Sequence, residues 1–195
     1  YCCYQLALMG ADVVKVERPG GGDLARDLGA DPERNAAGMG ISFLAQNAGK
    51  RSVTLDLKSQ KGKALFKRLV GTADVVVENY RPGVMERLGL GAKVLRTERP
   101  ELIYCAISGF GQTGPWRDRP AYDQIVQGLS GVMSVTGDAE SAPLRVGYPL
   151  ADTVGEAPTR ARIAIENETR AILASEVLEA VLARDPAHAG VLRLA

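Results

Sequence analysis

The sequence predicts an α/β fold: a Rossmann-like, mostly parallel sheet with flanking helices, followed by a C-terminal helical segment. Three observations carry that expectation. Short strand-like runs recur along the chain, at 11–17, 52–57, 73–80 and 101–107. Helical or loop-forming stretches separate them, and glycine and proline punctuate the boundaries. Strands that alternate with helices in this way pair in parallel through crossover connections. The 195 residues are enough for one domain with a sizeable core. We read 1–155 as the large domain and 156–195 as a helical tail, a remnant of a second domain or unrelated sequence.

Tyr1-Cys2-Cys3-Tyr4 leads into a strand-forming segment, and Ala11–Glu17 is the first strand, closed by the turn Arg18-Pro19-Gly20-Gly21-Gly22-Asp23. The polar, glycine-bearing stretch from Leu24 to Gly40 is expected to be a loop with helical fragments. Ser52–Leu57 alternates with period two and forms a second strand. Lys58–Leu69 follows as an amphipathic helix with Leu65 and Leu69 on one face, stopping at Gly71. Ala73–Tyr80 is a buried parallel strand by its apolar run. Pro82 suits the first position of the next helix, which carries Val84, Met85 and Leu88 and ends at Gly89 and Gly91. Glu101–Ile107 is another strand, opening into the glycine-rich loop Ser108–Pro115. Tyr122–Val132 is helical, Pro143–Leu150 is extended, and Asp152 sits where a helix begins. A last helix is expected within 160–184, with Ile172, Val177, Leu178, Val181 and Leu182 on one side.

Composition narrows the function. The chain is 46% hydrophobic and 24% charged with a formal net charge of +1, which gives nucleic acid or an anionic membrane no electrostatic hold. No apolar run approaches the roughly 20 residues that span a bilayer. The start has no basic region of a signal peptide and no Met, so a cytoplasmic protein with a clipped N-terminus is expected. Cys2, Cys3 and Cys105 lack C-x-x-C spacing and the single histidine, His188, lies far from them, so neither a disulfide framework nor a metal site is expected. Gly20-Gly21-Gly22 fails the spacing of a dinucleotide-binding loop, which excludes NAD.

Open parallel sheets bind ligands at the carboxyl ends of their strands. Glu17-Arg18, Asp56, Glu78-Asn79 and Ser108 all fall at such ends, a distribution that by itself says only that something binds. Longer segments say more. Gly10–Pro19, Lys50–Lys58, Val77–Val84 with Leu88-Gly89-Leu90, Ser108–Gly111 with Gly114-Pro115, Tyr122-Asp123 and Gly128–Gly131, and Val146–Asp152 follow one another in order. Together they resemble the class III CoA-transferases, the CaiB/BaiF or formyl-CoA transferase family.

The resemblance implies a role for each matching residue. Arg18 and Arg87 match contacts to the phosphates and adenosine of CoA; Leu55, Asp56, Leu57 and Lys58, with Asn79, Tyr80 and Arg81, match the walls of the same site. Tyr122 and Asp123 match an acyl-pocket pair, and Asp152 matches the nucleophile. It further implies CoA as a substrate with no permanently bound cofactor, acyl-CoA and carboxylic acid as the reacting partners, and an interlocked homodimer. A carboxylate is a competent nucleophile toward a thioester. Backbone N–H groups in the glycine-rich loops or at the helix start after Asp152 could hold the oxyanion. Taken without the resemblance, Asp152 reads as a helix cap, Arg18 and Arg87 as solvated side chains, and Tyr122 as core.

Departures from the family pattern set the remaining expectations. The pattern begins upstream of Tyr1, and Glu156-Ala157-Pro158-Thr159-Arg160 breaks it, so the chain by itself is expected to be inactive. Two other functions compete with CoA transfer. An α-methylacyl-CoA racemase or epimerase needs a second acid/base group, where relatives carry His and this chain carries Tyr122. A non-catalytic truncated fragment that only binds CoA or a partner chain is the other.

Overall fold

A computed structural model describes residues 1–154. In chain order the helices are α1 (Cys2–Leu8), α2 (Pro32–Ala36), α3 (Ile41–Asn47), α4 (Gln60–Val70), α5 (Val84–Leu88), α6 (Ala92–Glu98), α7 (Asp123–Leu129) and α8 (Leu150–Val154). The strands are β1 (Val14–Glu17), β2 (Arg51–Thr54), β3 (Val75–Glu78) and β4 (Ile103–Ala106). The described chain divides into two compact units, Tyr1–Asp74 with Glu86–Leu102, and Val75–Met85 with 103–154.

In the first unit β1 and β2 pair in parallel, from Val14 opposite Arg51 to Glu17 opposite Thr54. Backbone bonds from Arg51 N–H to Val13 O and from Leu55 N–H to Glu17 O, both 2.9 Å, extend the ladder at each end. The start of the chain corrects the expected strand-forming lead-in: Cys2–Leu8 is helix α1. It holds no β-branched residue, and Gln5, Leu6, Ala7 and Leu8 all favour helix. The polar stretch 24–40 contains the expected helical fragments, a 3-10 turn at Leu24–Asp27 and α2. Both are capped by aspartates, Asp23 and Asp31.

Helix α4 starts two residues later than expected, behind the Ser59 N-cap. Its inward face is also one residue round from the expected one: Gly62, Phe66 and Val70 are buried, whereas Leu65 is exposed. These three recur at i, i+4 and i+8, the same spacing as the leucine pair carried one turn further. Phe43, Leu90, Leu95 and Leu102 complete the core of this unit. Each such side chain contributes about 1.5–3 kcal/mol on burial.

In the second unit β3 and β4 pair in parallel, Val75 opposite Ile103 through Glu78 opposite Ala106. The parallel pairing is as expected, though it takes the form of two two-stranded ladders. Pro82 lies ahead of α5 instead of inside it, because Pro82 and Gly83 form the turn in which Val84 N–H reaches Arg81 O. The predicted helix 122–132 is shorter: α7 ends at Leu129, and left-handed Gly131 starts a separate 3-10 turn at Val132–Val135. The tail expected at 156–195 lies outside the described residues.

Candidate active site

In the first unit the carboxyl end of β1 is built around one buried carboxylate. Glu17 receives two Arg26 donors, Nε and one terminal nitrogen, each at 2.7 Å, the Ser52 hydroxyl at 2.6 Å and the Asp23 N–H at 2.9 Å. Arg26 also donates to Gly38 O and lies over the Phe43 ring, 3.8 Å from its centroid. The Arg26 hydrogen bonds, aided by Ser52 and Asp23 and opposed by burial, hold the Glu17 pKa down at about 2. The next residue, Arg18, is exposed and bonded by Nε to Gly22 O at 3.0 Å, which folds its stem back onto the glycine turn.

The loop after β2 is equally determined. Asp56 Oδ1 accepts the Lys58 N–H at 2.9 Å, and Asp56 O accepts the Ser59 hydroxyl at 2.9 Å. Ser59 Oγ in turn caps the Gly62 N–H. A methyl group at Gly62 would lie 1.9 Å from Asp56 O, so this turn closes only over glycine. Leu55 and Leu57 are half-buried, while Asp56 and Lys58 point to solvent. Arg87 is exposed on α5 and has no hydrogen-bond or ion-pair partner among the described residues.

The second unit carries the other expected residues. Asn79 Nδ2 donates to Ile107 O at 2.8 Å, tying the end of β3 to the end of β4. Exposed Tyr80 gives its N–H to Glu78 Oε2, and exposed Arg81 follows at the turn into α5. The loop Ser108–Pro115 runs close to the chain just ahead of α7: a methyl at Gly109 would lie 1.9 Å from Ala121 Cβ. Tyr122 is the N-cap residue of α7, with a free-standing side chain 60% exposed.

Asp123 and Asp152 are brought together. Asp123 is buried; its Oδ1 accepts the N–H of Ala151 at 2.7 Å and of Asp152 at 3.4 Å, and its Oδ2 accepts Gln127 Nε2 at 2.7 Å. The side chain of one helix therefore caps the start of another, α8, which delivers Asp152 to an exposed position. Protein around the Asp152 carboxyl removes part of its hydration and the Asp123 charge repels it, so its pKa is raised. A carboxylate shifted in this direction is a more basic, stronger nucleophile. The N–H groups at the start of α8 are not free to hold an oxyanion: Asp123 takes those of Ala151 and Asp152, and Pro149 O takes that of Thr153. Of the donors expected after Asp152, the Thr153 N–H is therefore already engaged.

Two features escaped the sequence reading. Gln127 lies four residues after Asp123 and one helical turn further along α7, a spacing that marks them as neighbours. The Glu17–Arg26 pair spans a loop and has no periodic signal. Among the described residues no cluster of His, Cys, Asp and Glu could hold a metal ion, and no helix is long and apolar enough to cross a membrane.

Parallel ladders, crossover helices and glycine-rich strand-to-helix connections define a Rossmann-like α/β protein. Comparison with known proteins narrows that class. The model of CoA-transferase family III matches residues 1–165, and the chain belongs to this family, the one its motifs resemble. The succinate–glutarate CoA-transferase of Agrobacterium fabrum is 50% identical over 150 residues, covering 75% of this chain and 38% of that protein. The Rv3272 protein of Mycobacterium tuberculosis superposes with a TM-score of 0.73 at 36% identity, covering 94% of this chain and 46% of its own. A CAIB/BAIF family protein from Brucella suis does so at 0.71 and 36%, covering 91% and 46%. The chain thus spans less than half the length of these relatives.

Proposed function

We propose that the protein carrying this chain moves CoA between an acyl-CoA and a free carboxylic acid through a covalent thioester on Asp152. The observation that supports this most is the state of Asp152: an exposed carboxyl, raised in pKa, on a helix start fixed by Asp123. The Asp152 carboxylate attacks the thioester carbonyl, giving a mixed anhydride and CoA thiolate. The thiolate attacks the Asp152 carbonyl of the anhydride, releasing the donor acid and leaving an aspartyl-CoA thioester. The acceptor carboxylate then attacks that thioester and expels the thiolate again. Thiolate attack on the acceptor's acyl carbon forms the new acyl-CoA and returns Asp152 as a carboxylate.

The other assignments follow the family resemblance. Arg18 and Arg87 hold CoA phosphates, a task suited to a planar guanidinium. Leu55–Lys58 and Asn79–Arg81 wall the CoA site, and exposed Tyr122 faces the acyl group with Asp123 beside it. Binding of the long CoA tail positions the thioester for attack. We place the protein in the cytoplasm as a homodimer, with no permanent cofactor. The Agrobacterium fabrum relative is named for two short dicarboxylates, so succinate and glutarate head the acceptors to test. In the intact protein Asp152→Ala should lower CoA exchange more than about a hundredfold, or roughly 2.7 kcal/mol of barrier, with CoA affinity kept. A smaller loss would remove Asp152 as the nucleophile.

A further inference from the structure

The side chain best placed to control Asp152 without touching substrate is the buried amide of Gln127, which is 1% exposed. Its Oε1 accepts the Val146 N–H at 2.8 Å, and its Nε2 donates to Asp123 Oδ2 at 2.7 Å and to Tyr148 O at 3.4 Å. The amide can sit only one way round. Val146 offers a donor, whereas Asp123 and Tyr148 offer acceptors, so a flipped amide would set like against like at every contact. We infer that Gln127 is a positioning residue of the reaction: it fixes both the Asp123 carboxylate that caps α8 and the segment 146–148 that leads into it, and so sets where Asp152 stands.

The inference rests on the assignment of Asp152 as nucleophile. Between them, Gln127 and Asp123 hold residues 146, 148, 151 and 152 of the segment that ends at the nucleophile. The Thr153 hydroxyl adds a local bond to Pro149 O at 2.6 Å, from within α8 itself. Residues 143–149 form no strand, so they have no ladder to fix them instead. A leucine at 127 would fill the space but leave the part-buried Val146 N–H and one oxygen of buried Asp123 without a partner. The bond between Gln127 and Asp123 can also be reversed. In the double variant Asp123→Asn/Gln127→Glu, the new amide donates to the new carboxylate, whose second oxygen still accepts the Val146 N–H. The amide oxygen at position 123 still accepts the Ala151 N–H. Each single substitution instead sets amide against amide or carboxylate against carboxylate.

The test measures kcat, KM for acyl-CoA, and folded fraction for Gln127→Leu, Gln127→Glu, Asp123→Asn and the double variant in the intact protein, with Asp152→Ala alongside. Misplacing a reacting group by an ångström costs up to about a hundredfold, so each single variant should lose about ten- to a hundredfold in kcat per folded molecule. KM should stay within about twofold in the two Gln127 single variants, since Gln127 is placed in neither the CoA nor the acyl site. The double variant should recover at least about tenfold over the poorer single, the non-additivity expected of directly bonded partners. If Gln127→Leu does not fold, Gln127→Glu and the double variant still decide the matter. The inference falls if the single variants keep kcat per folded molecule, if KM rises in place of the kcat loss, or if the swap recovers nothing. Should Asp152→Ala itself retain turnover, the nucleophile assignment fails and this inference with it. An inactive Asp152→Ala beside a fully active Gln127→Leu overturns the positioning role alone.

Discussion

Replacing Glu17 by glutamine keeps the shape of the side chain and removes the charge on which the end of β1 is organised. In the folded protein the Glu17 pKa is held at about 2, against an ordinary value of 4.5. At 1.36 kcal/mol per pH unit, that difference corresponds to about 3 kcal/mol of stability. A depressed carboxyl pKa stabilises fully above the unfolded value and loses its effect as pH falls toward the folded one. The contribution should therefore be intact at pH 6, diminished by about 1.4 kcal/mol at pH 3.5, and largely gone by pH 2. Glu17→Gln should cost about 3 kcal/mol at pH 6, and the gap to wild type should narrow by about 1.4 kcal/mol at pH 3.5. Urea unfolding of both proteins at the two pH values measures this directly. A gap under about 1 kcal/mol at pH 6, the worth of an exposed ion pair, would refute the reasoning, and so would one that does not change with pH.

Gly62→Ala separates helix propensity from packing. In a helix this change ordinarily stabilises by about 1 kcal/mol, but here the new methyl meets Asp56 O, so a loss of about 1–3 kcal/mol is expected in urea unfolding. A gain would mean that the turn before α4 yields easily. Arg18→Ala and Arg87→Ala should each weaken CoA binding about ten- to a hundredfold in low-salt calorimetry. The loss should shrink as salt rises; unchanged affinity in both would make these arginines ordinary surface residues.

Much of the frame was legible because strand runs and glycine breaks are local signals. Val14–Glu17, Arg51–Thr54, Val75–Glu78 and Ile103–Ala106 all lie within, or one residue beyond, the runs that predicted them. Helix boundaries and faces were less legible. The helix expected from Lys58 begins at Gln60 behind the Ser59 cap, and the face that packs depends on which neighbours Phe66 and Val70 meet. Helices α3 and α6 were not anticipated; each has seven residues and no side-chain cap, so tertiary packing of Phe43 and Leu95 settles them. At the site, motif resemblance selected Asp152 and Asp123, but not the bond between Asp123 and the start of α8, which joins positions 28 residues apart. Gln127 is polar in a helix of otherwise unremarkable pattern, and only its three partners reveal it.

The central claim is a covalent bond between CoA and Asp152. Intact protein mixed with succinyl-CoA, quenched and digested should yield the peptide containing residues 146–152 heavier by the mass of CoA less one water. Fragmentation should place that addition on Asp152, and an acceptor acid added before the quench should remove it as the new acyl-CoA accumulates. Turnover with no such adduct, or with the adduct on another residue such as Asp123, would contradict the account.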